Sequence, residues 1–244
     1  MITIVLPAYN EAACIGALLE SFAAVLATGS EECRFIVVND GSTDDTEQVV
    51  RGFQHRLPLE LINHPANRGL AGAIATGLQQ AVASCSAEDV IVTLDADNSH
   101  PPELLFPMVR LIREGAAVVV ASRYQPGAEI HGLSLFRQVL SFGAALLFRL
   151  VFPLPGVRDY TCGYRAYRAG LLQRAMGDYG DAFISETGFS CMVDILLKLR
   201  RYEPVMVEVP LILRYDQKKS VSKMKVGRTV RQTLLLLLRR RLGR

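Results

Sequence analysis

Apolar residues in the first half of the chain fall into short blocks separated by polar turns and helix-like stretches. ITIVLPAY (2–9), FIVVND (35–40), LELINH (59–64), VIVTLDAD (90–97) and AAVVVASR (116–123) are rich in Val, Ile and Leu. Their apolar residues run consecutively and do not alternate, which predicts strands buried on both faces. Helical patterns fill the intervals at 11–27, 45–56, 67–84 and 101–115. Repeated βα units predict an α/β fold around a mostly parallel sheet with right-handed crossovers. Ligands in such sheets bind beyond the carboxyl ends of the strands. The polar residues gather there: Pro7 to Glu11, Asn39 and Asp40, Asp95 and Asp97, Ser122 and Arg123.

The second half is less regular. Residues 133–152 predict a very apolar helix carrying Arg137 and Arg149, and 159–170 (DYTCGYRAYRAG) reads as a loop rich in Tyr and Arg. Residues 185–200 look helical, and 205–215 alternate like a half-exposed strand. No internal repeat and no long linker divides the chain, so the expectation is a domain over 1–226 with a basic amphipathic tail over 227–244.

Half of the 244 residues are hydrophobic and the mean hydropathy is +0.23, enough for a large core. No apolar run reaches the roughly 18 residues that span a bilayer. The best candidate, 138–157, is broken by Arg149 and two prolines. Met1 leads into an apolar strand without a basic leader, so no secretory signal is expected. Five scattered cysteines without CxxC predict free, mostly buried thiols in a reducing cytosol. The four histidines show no zinc spacing. Gly69, Gly72 and Gly77 do not spell GxGxxG, and a P-loop is missing, which argues against a dinucleotide dehydrogenase or P-loop NTPase. Close helix–strand packing accounts for Gly72 and Gly77.

Charge is unevenly placed. Residues 214–244 hold eleven Lys/Arg against one Asp, a net of +10, while 1–213 carry a net of −7. A basic tail on an acidic body suggests an anionic partner. The Leu234–Leu238 run within Arg228–Arg244 suits a helix lying on anionic lipid, or one packed on protein. Nucleic acid is the weaker reading, because the tail has too few aromatics for base stacking.

The most specific chemistry lies in LDAD. Carboxylates two residues apart at a strand end can hold one hard cation, Mg²⁺ or Mn²⁺, through oxygens, and such a metal offsets the charge of a leaving diphosphate. A solvated turn with an Asp cap is the alternative. In VVNDGSTDDT, Asp40 can accept from a base or ribose, while Ser42 and Thr43 suit capping of the next helix. Arg123, Arg137 and the KKSVSK segment can cradle phosphate, or stand as solvated surface charges. Glu186 can cap a helix or line an acceptor site.

In order, IVLPAYNEA, VVNDGSTDDT, NRGLAGAIATG and LDAD resemble the nucleotide-sugar-binding domain of inverting family 2 glycosyltransferases with the GT-A fold. ASRY (121–124), Arg137 followed by Ser141, DYTCGYRAY (159–167) and SVSKMK (220–225) resemble the dolichol- and polyprenyl-phosphate mannose synthase branch. The resemblance spans residues 1–226. It implies a Rossmann-like sheet flanked by helices, with amphipathic membrane-facing C-terminal helices. It also implies that Pro7, Tyr9, Glu11 and Asp40 hold the nucleotide, and that Asp95 and Asp97 hold Mg²⁺ or Mn²⁺ and the donor diphosphate. Arg123, Arg137, Ser141 and Lys223 would hold donor or acceptor phosphates, with Lys218 a further phosphate contact. Ser99 stands where the family often has Gln, Ser220 where it has Gly, and Cys162 where it has Ser.

The expected activity is transfer of mannose or another hexose from a nucleotide-sugar, GDP-mannose or a UDP-hexose, to a polyprenyl phosphate. The expected setting is the cytoplasmic face of a membrane, with peripheral attachment and no nucleic-acid partner. A transferase using a hydroxyl acceptor with Glu186 as base, and a non-catalytic nucleotide-sugar or anionic-lipid binder, are the alternatives.

Overall fold

The computed structural model describes residues 1–27 and 31–219. Lys223, the SVSKMK segment and the basic tail lie outside the described residues. The strands are β1 (Ile2–Ala8), β2 (Cys33–Asn39), β3 (Leu59–Asn63), β4 (Val90–Thr93), β5 (Val118–Ser122), β6 (Glu129–His131), β7 (Arg165–Arg168), β8 (Met206–Pro210) and β9 (Ile212–Arg214). The helices are α1 (Ala12–Ala27), α2 (Thr46–Arg51), α3 (Gly69–Ser84), α4 (Leu105–Arg113), α5 (Leu135–Val151), α6 (Ala169–Tyr179) and α7 (Ser190–Leu199).

Seven strands form one sheet in the order β3-β2-β1-β4-β7-β5-β8, and β6 pairs with β9 apart from it. Every pair is parallel except those of β7, which runs antiparallel to both β4 and β5. Being antiparallel to the same strand, β4 and β5 point the same way. The carboxyl ends of β2, β1, β4 and β5 therefore share one edge. Ile2, Thr3, Ile4, Val5 and Leu6 are all sealed from solvent. Successive strand residues face opposite sides, so both faces of the sheet are covered, as the unbroken apolar runs predict.

Several elements differ from the sequence reading. The stretch 159–170 is not all loop: Arg165–Arg168 is a central strand, and α6 follows it directly. Its polar letters conceal burial, because the fully buried Arg165 guanidinium donates to the Met192 carbonyl at 2.6 Å and the Tyr160 carbonyl at 2.7 Å. The polar pattern carries no sign of those two carbonyls, one of them 27 residues away. The strand expected over 205–215 is two strands that separate at Leu211 and join different sheets. The helix expected over 45–56 stops at Arg51. The helix expected over 185–200 begins only at Ser190. β4 ends at Thr93, so both aspartates of LDAD lie in the loop beyond it.

Of the two glycines expected to pack a helix on a strand, Gly77 does so. A Cβ there would lie 2.3 Å from Val5 Cγ1, so α3 approaches β1 too closely for any side chain. Gly72 instead faces the Arg68 side chain of its own helix start. Gly77→Ala must push α3 off the sheet. Overpacking of this kind costs roughly 1–3 kcal/mol, and urea unfolding is expected to show a loss of that size, whereas Gly143→Ala, where a Cβ meets nothing within 4 Å, should not destabilise.

Candidate active site

The first wall of the site is made where β1 and β2 end. Asn10 takes a left-handed conformation (φ 51°) and turns the chain after Tyr9. Ser42 accepts from the Asn10 amide at 2.9 Å, and the Asn10 side chain accepts from the Thr43 amide at 2.8 Å. Asp44 and Thr46 accept from the Ala12 and Glu11 amides. The polar turn therefore caps α1, across the sheet edge, and Ser42 and Thr43 do not cap α2 as its sequence suggests; the residue before α2, Asp45, makes no side-chain cap bond. The reason is geometric: parallel β1 and β2 end side by side, so the second turn meets the start of the first helix. The register sets Pro7 and Tyr9 beside the strand end that carries Asp40, while the buried Glu11 acts on Asp95 and Lys218.

Asp40 is buried, and its Oδ1 accepts from His64 Nδ1 at 2.7 Å and from the Arg68 amide at 2.8 Å. His64 was not legible as a functional residue. The available signal was its position directly after the third strand, level with the residue that follows the second.

Asp95 and Asp97 flank the second wall. Asn98 adopts φ 62° and reverses the chain. The Ser99 amide and hydroxyl then both donate to Asp97 Oδ1, at 3.1 and 2.5 Å. Ser99 thus orients Asp97. Lys218 reaches back over 121 residues to place its ammonium 2.5 Å from Asp97 Oδ2. The segment carrying it is tied down by the Arg214 amide on the Ser99 carbonyl and the Lys219 amide on Cys14 Sγ. The sequence reading set Lys218 against a phosphate; its ammonium here pairs with Asp97. Asp95 is half-buried and packs against Gly163, where a Cβ would come within 3.1 Å of Oδ1.

The two carboxyls titrate apart. Burial pushes Asp95 above the ordinary carboxylate range, with Asp97 and Glu11 adding to the rise against His100 and Lys218. Burial also pushes on Asp97, but Lys218, His100 and Ser99 together bring it below that range. A hard cation suits this donor set: an ammonium already sits on Asp97 Oδ2, marking that oxygen as a cation position. Among the described residues no three His, Cys, Asp or Glu side chains converge to hold a metal alone. Diphosphate oxygens and water would complete its shell, as Mg²⁺ and Mn²⁺ sites commonly allow.

Arg123 follows β5 on the same edge. Its Nε and Nη2 donate to the two oxygens of Asp159, both at 2.8 Å, and Nη2 also reaches Thr161 at 2.7 Å. The carboxylate is fully buried and the guanidinium 15% exposed. Burial opposes both charges, yet each holds the other ionised: Asp159 lies below, and Arg123 above, its ordinary range. Glu208 fixes the loop by accepting from the Arg158 and Asp159 amides at 2.6 Å. Burial pushes the neighbouring Cys162 thiol up to about 12, keeping it neutral. A groove of about 350 Å³ opens beside Arg123, between Tyr124 and the α5 residues Leu135, Val139, Ser141 and Phe142. Tyr124 donates to Ser141 at 3.1 Å, and Arg137 donates to Tyr215 at 3.1 Å. Glu186 is half-buried on a separate loop, whose Ser185 is held by the buried Asp194–Lys198 pair. A larger hollow of about 470 Å³ over α4 contains none of these residues.

The sequence profile of the family described as glycosyl transferase family 2 matches residues 3–175. This chain belongs to glycosyl transferase family 2. The family 2 chain is 30% identical over 224 residues to an undecaprenyl-phosphate mannosyltransferase of Micrococcus luteus, covering 91% of this chain and 87% of that protein. It is 27% identical over 230 residues to a dolichol-phosphate mannosyltransferase of Pyrococcus furiosus, covering 94% of this chain but only 60% of that relative's length. Its fold is that of glucosyl-3-phosphoglycerate synthase from Mycobacterium tuberculosis, solved with Mn²⁺, UDP-glucose and phosphoglyceric acid: TM-score 0.66, 23% identity, covering all of this chain and 80% of that one. The family's GT-A architecture is thereby established for this transferase, with Asp40, Asp95, Asp97 and Arg123 on one sheet edge.

Two outcomes test the electrostatics. Asp159→Ala strands the Arg123 guanidinium and is expected to cost about 3–5 kcal/mol. Because the folded carboxyl is depressed, that contribution is complete well above the unfolded value of roughly 4. It is lost as pH falls through the folded value, so the stability gap between variant and wild type should close in acid. Lys218→Met removes the cation competing for Asp97 Oδ2. Mn²⁺ titrated without donor and followed by paramagnetic resonance should bind several-fold tighter than to wild type.

Proposed function

We propose that this chain transfers a hexosyl group from a nucleotide-sugar to the phosphate of a polyprenyl carrier, with inversion. The observation that carries the reading is the groove beside Arg123, which joins a cationic floor to an apolar wall on the edge that bears Asp95 and Asp97. A lipid phosphate needs a cation at its head and apolar surface along its tail. The polyprenyl-phosphate mannosyltransferases among the relatives agree with that chemistry.

Asp40, Glu11, Pro7 and Tyr9 bind the nucleotide. Asp95 and Asp97 would hold Mg²⁺ or Mn²⁺, which when bound offsets charge on the departing diphosphate. Lys218 leaves Asp97 in that state and is then available to phosphate oxygens. Arg123, Arg137 and Ser141 orient the acceptor phosphate. One of its oxygens attacks the anomeric carbon, the bond from that carbon to the diphosphate oxygen breaks, and the nucleoside diphosphate departs. A phosphate monoester is largely ionised near neutral pH, so positioning and charge stabilisation suffice without a strong general base.

The exposed face of α5 supports attachment to a lipid surface. Leu135, Phe136, Val139, Phe142, Leu146 and Leu150 are 43–78% exposed and recur at helical spacing along one side. Among the described residues no helix is long and apolar enough to cross a membrane. The +10 segment 214–244 supplies cations for anionic lipid, and its last residues, 227–244, form the proposed attachment tail.

Purified protein with Mn²⁺, a polyprenyl phosphate and a panel of labelled nucleotide-sugars should move label into the organic phase with one donor. Asp97→Ala should lower that rate on the order of 10²–10³-fold in a protein that still folds, and Glu186→Gln should reduce it only modestly. Label passing instead to a sugar or lipid hydroxyl, with activity abolished in Glu186→Gln, would transfer the assignment to a hydroxyl-acceptor enzyme.

A further inference from the structure

We infer that His64 is the positioning residue for the donor nucleotide, acting through Asp40. The inference rests on the reading that Asp40 contacts the nucleotide. Both side chains are almost sealed, with 5% exposure for His64 and 4% for Asp40. A carboxylate only accepts, so His64 Nδ1 carries the hydrogen shared with Asp40 Oδ1 at 2.7 Å. The other ring nitrogen, Nε2, lies 2.9 Å from the Thr76 hydroxyl on α3. The His64 amide is bonded to the Asn39 carbonyl at 2.9 Å, which anchors the ring's own backbone to the end of β2. Neither nitrogen is left to rotate toward another partner, so the imidazole is fixed at both ends.

Oδ1 also accepts from the Arg68 amide at 2.8 Å. Two donors thus converge on one oxygen from two directions, one just after β3 and one just before α3. This fixes both torsions of the Asp40 side chain and leaves Oδ2 as the oxygen presented to a ligand. A carboxylate held in this way has no rotamer entropy to lose when a base or ribose donor arrives. The device serves ground-state binding of the donor nucleotide. It lies on the nucleotide side of the edge, away from Arg123 and the acceptor groove, and so should leave the later steps alone.

The test is binding of UDP and of GDP with Mn²⁺, by calorimetry, to wild type, Asp40→Asn, His64→Phe, His64→Asn and Thr76→Val. His64→Phe keeps the ring's bulk without its nitrogens, and should weaken the preferred nucleotide by roughly ten- to a hundredfold, as expected for a lost hydrogen bond to a charged group. His64→Asn keeps an N–H near the Nδ1 position and should recover most of that loss. Thr76→Val should fall between them. In transfer assays the loss should appear in the donor KM, with kcat at saturating donor unchanged. If Asp40→Asn weakens nucleotide binding while His64→Phe binds like wild type, the inference is overturned and the reading of Asp40 stands. If His64→Asn is no better than His64→Phe, or if the loss falls on kcat, His64 is merely structural and the inference fails. If Asp40→Asn binds like wild type, the placement of the nucleotide at Asp40 fails first. Should His64→Phe not fold, His64→Asn and Thr76→Val decide the question by the same readouts.

Discussion

Parallel strands covered on both faces have no side on which to display polar groups. In this chain the central strands β2, β1, β4 and β5 are sealed along nearly their whole length, so chemistry can occupy only their ends. Parallelism puts those four carboxyl ends on one edge. Asp40, Asp95, Asp97 and Arg123 are neighbours for that reason alone, although more than eighty residues separate the first from the last.

Crowding acids at one buried edge has an electrostatic consequence. Burying a charge is costly unless it is paired, and three of the carboxylates here have recruited a partner from elsewhere in the chain. Asp40 draws on His64, Asp97 on Lys218, and Asp159 neutralises Arg123. These pairings differ in kind. The Arg123–Asp159 pair is bidentate, and its partner carboxylate is completely enclosed, so it forms a fixed floor. The Lys218–Asp97 pair rests on a single ammonium, which the proposed reaction exchanges for a divalent metal. A fixed guanidinium suits the proposed acceptor side and an exchangeable ammonium the proposed metal side.

The antiparallel strand β7 connects the two halves of the site. Inserted between β4 and β5, it separates the loop of Asp95 and Asp97 from that of Arg123 by one strand's width. It also brings Gly163 against Asp95 and leads in from Asp159, so one short stretch touches both walls. The buried Arg165 secures that strand to α7 through the Met192 carbonyl.

The sequence by itself determined the βα alternation, the burial of the sheet and the edge on which chemistry sits. Each of these follows from periodicity within about ten residues, where side-chain direction is set by the local backbone. The LDAD pair, Asp40 and Arg123 were legible for the same reason, as polar residues ending apolar runs. Other features were decided only in the folded chain. RAYR reads as loop because Arg165 is polar, yet it is a central strand whose guanidinium is buried against the Tyr160 and Met192 carbonyls. Ser42 and Thr43 look like caps of their own helix, yet their turn clasps Asn10 and caps α1. His64 carries no local mark of function, and nothing local ties Lys218 to Asp97, since their partners lie 24 and 121 residues away. Hydrogen bonds and ion pairs depend on distance in space, and a linear pattern encodes that distance only where the chain is regular.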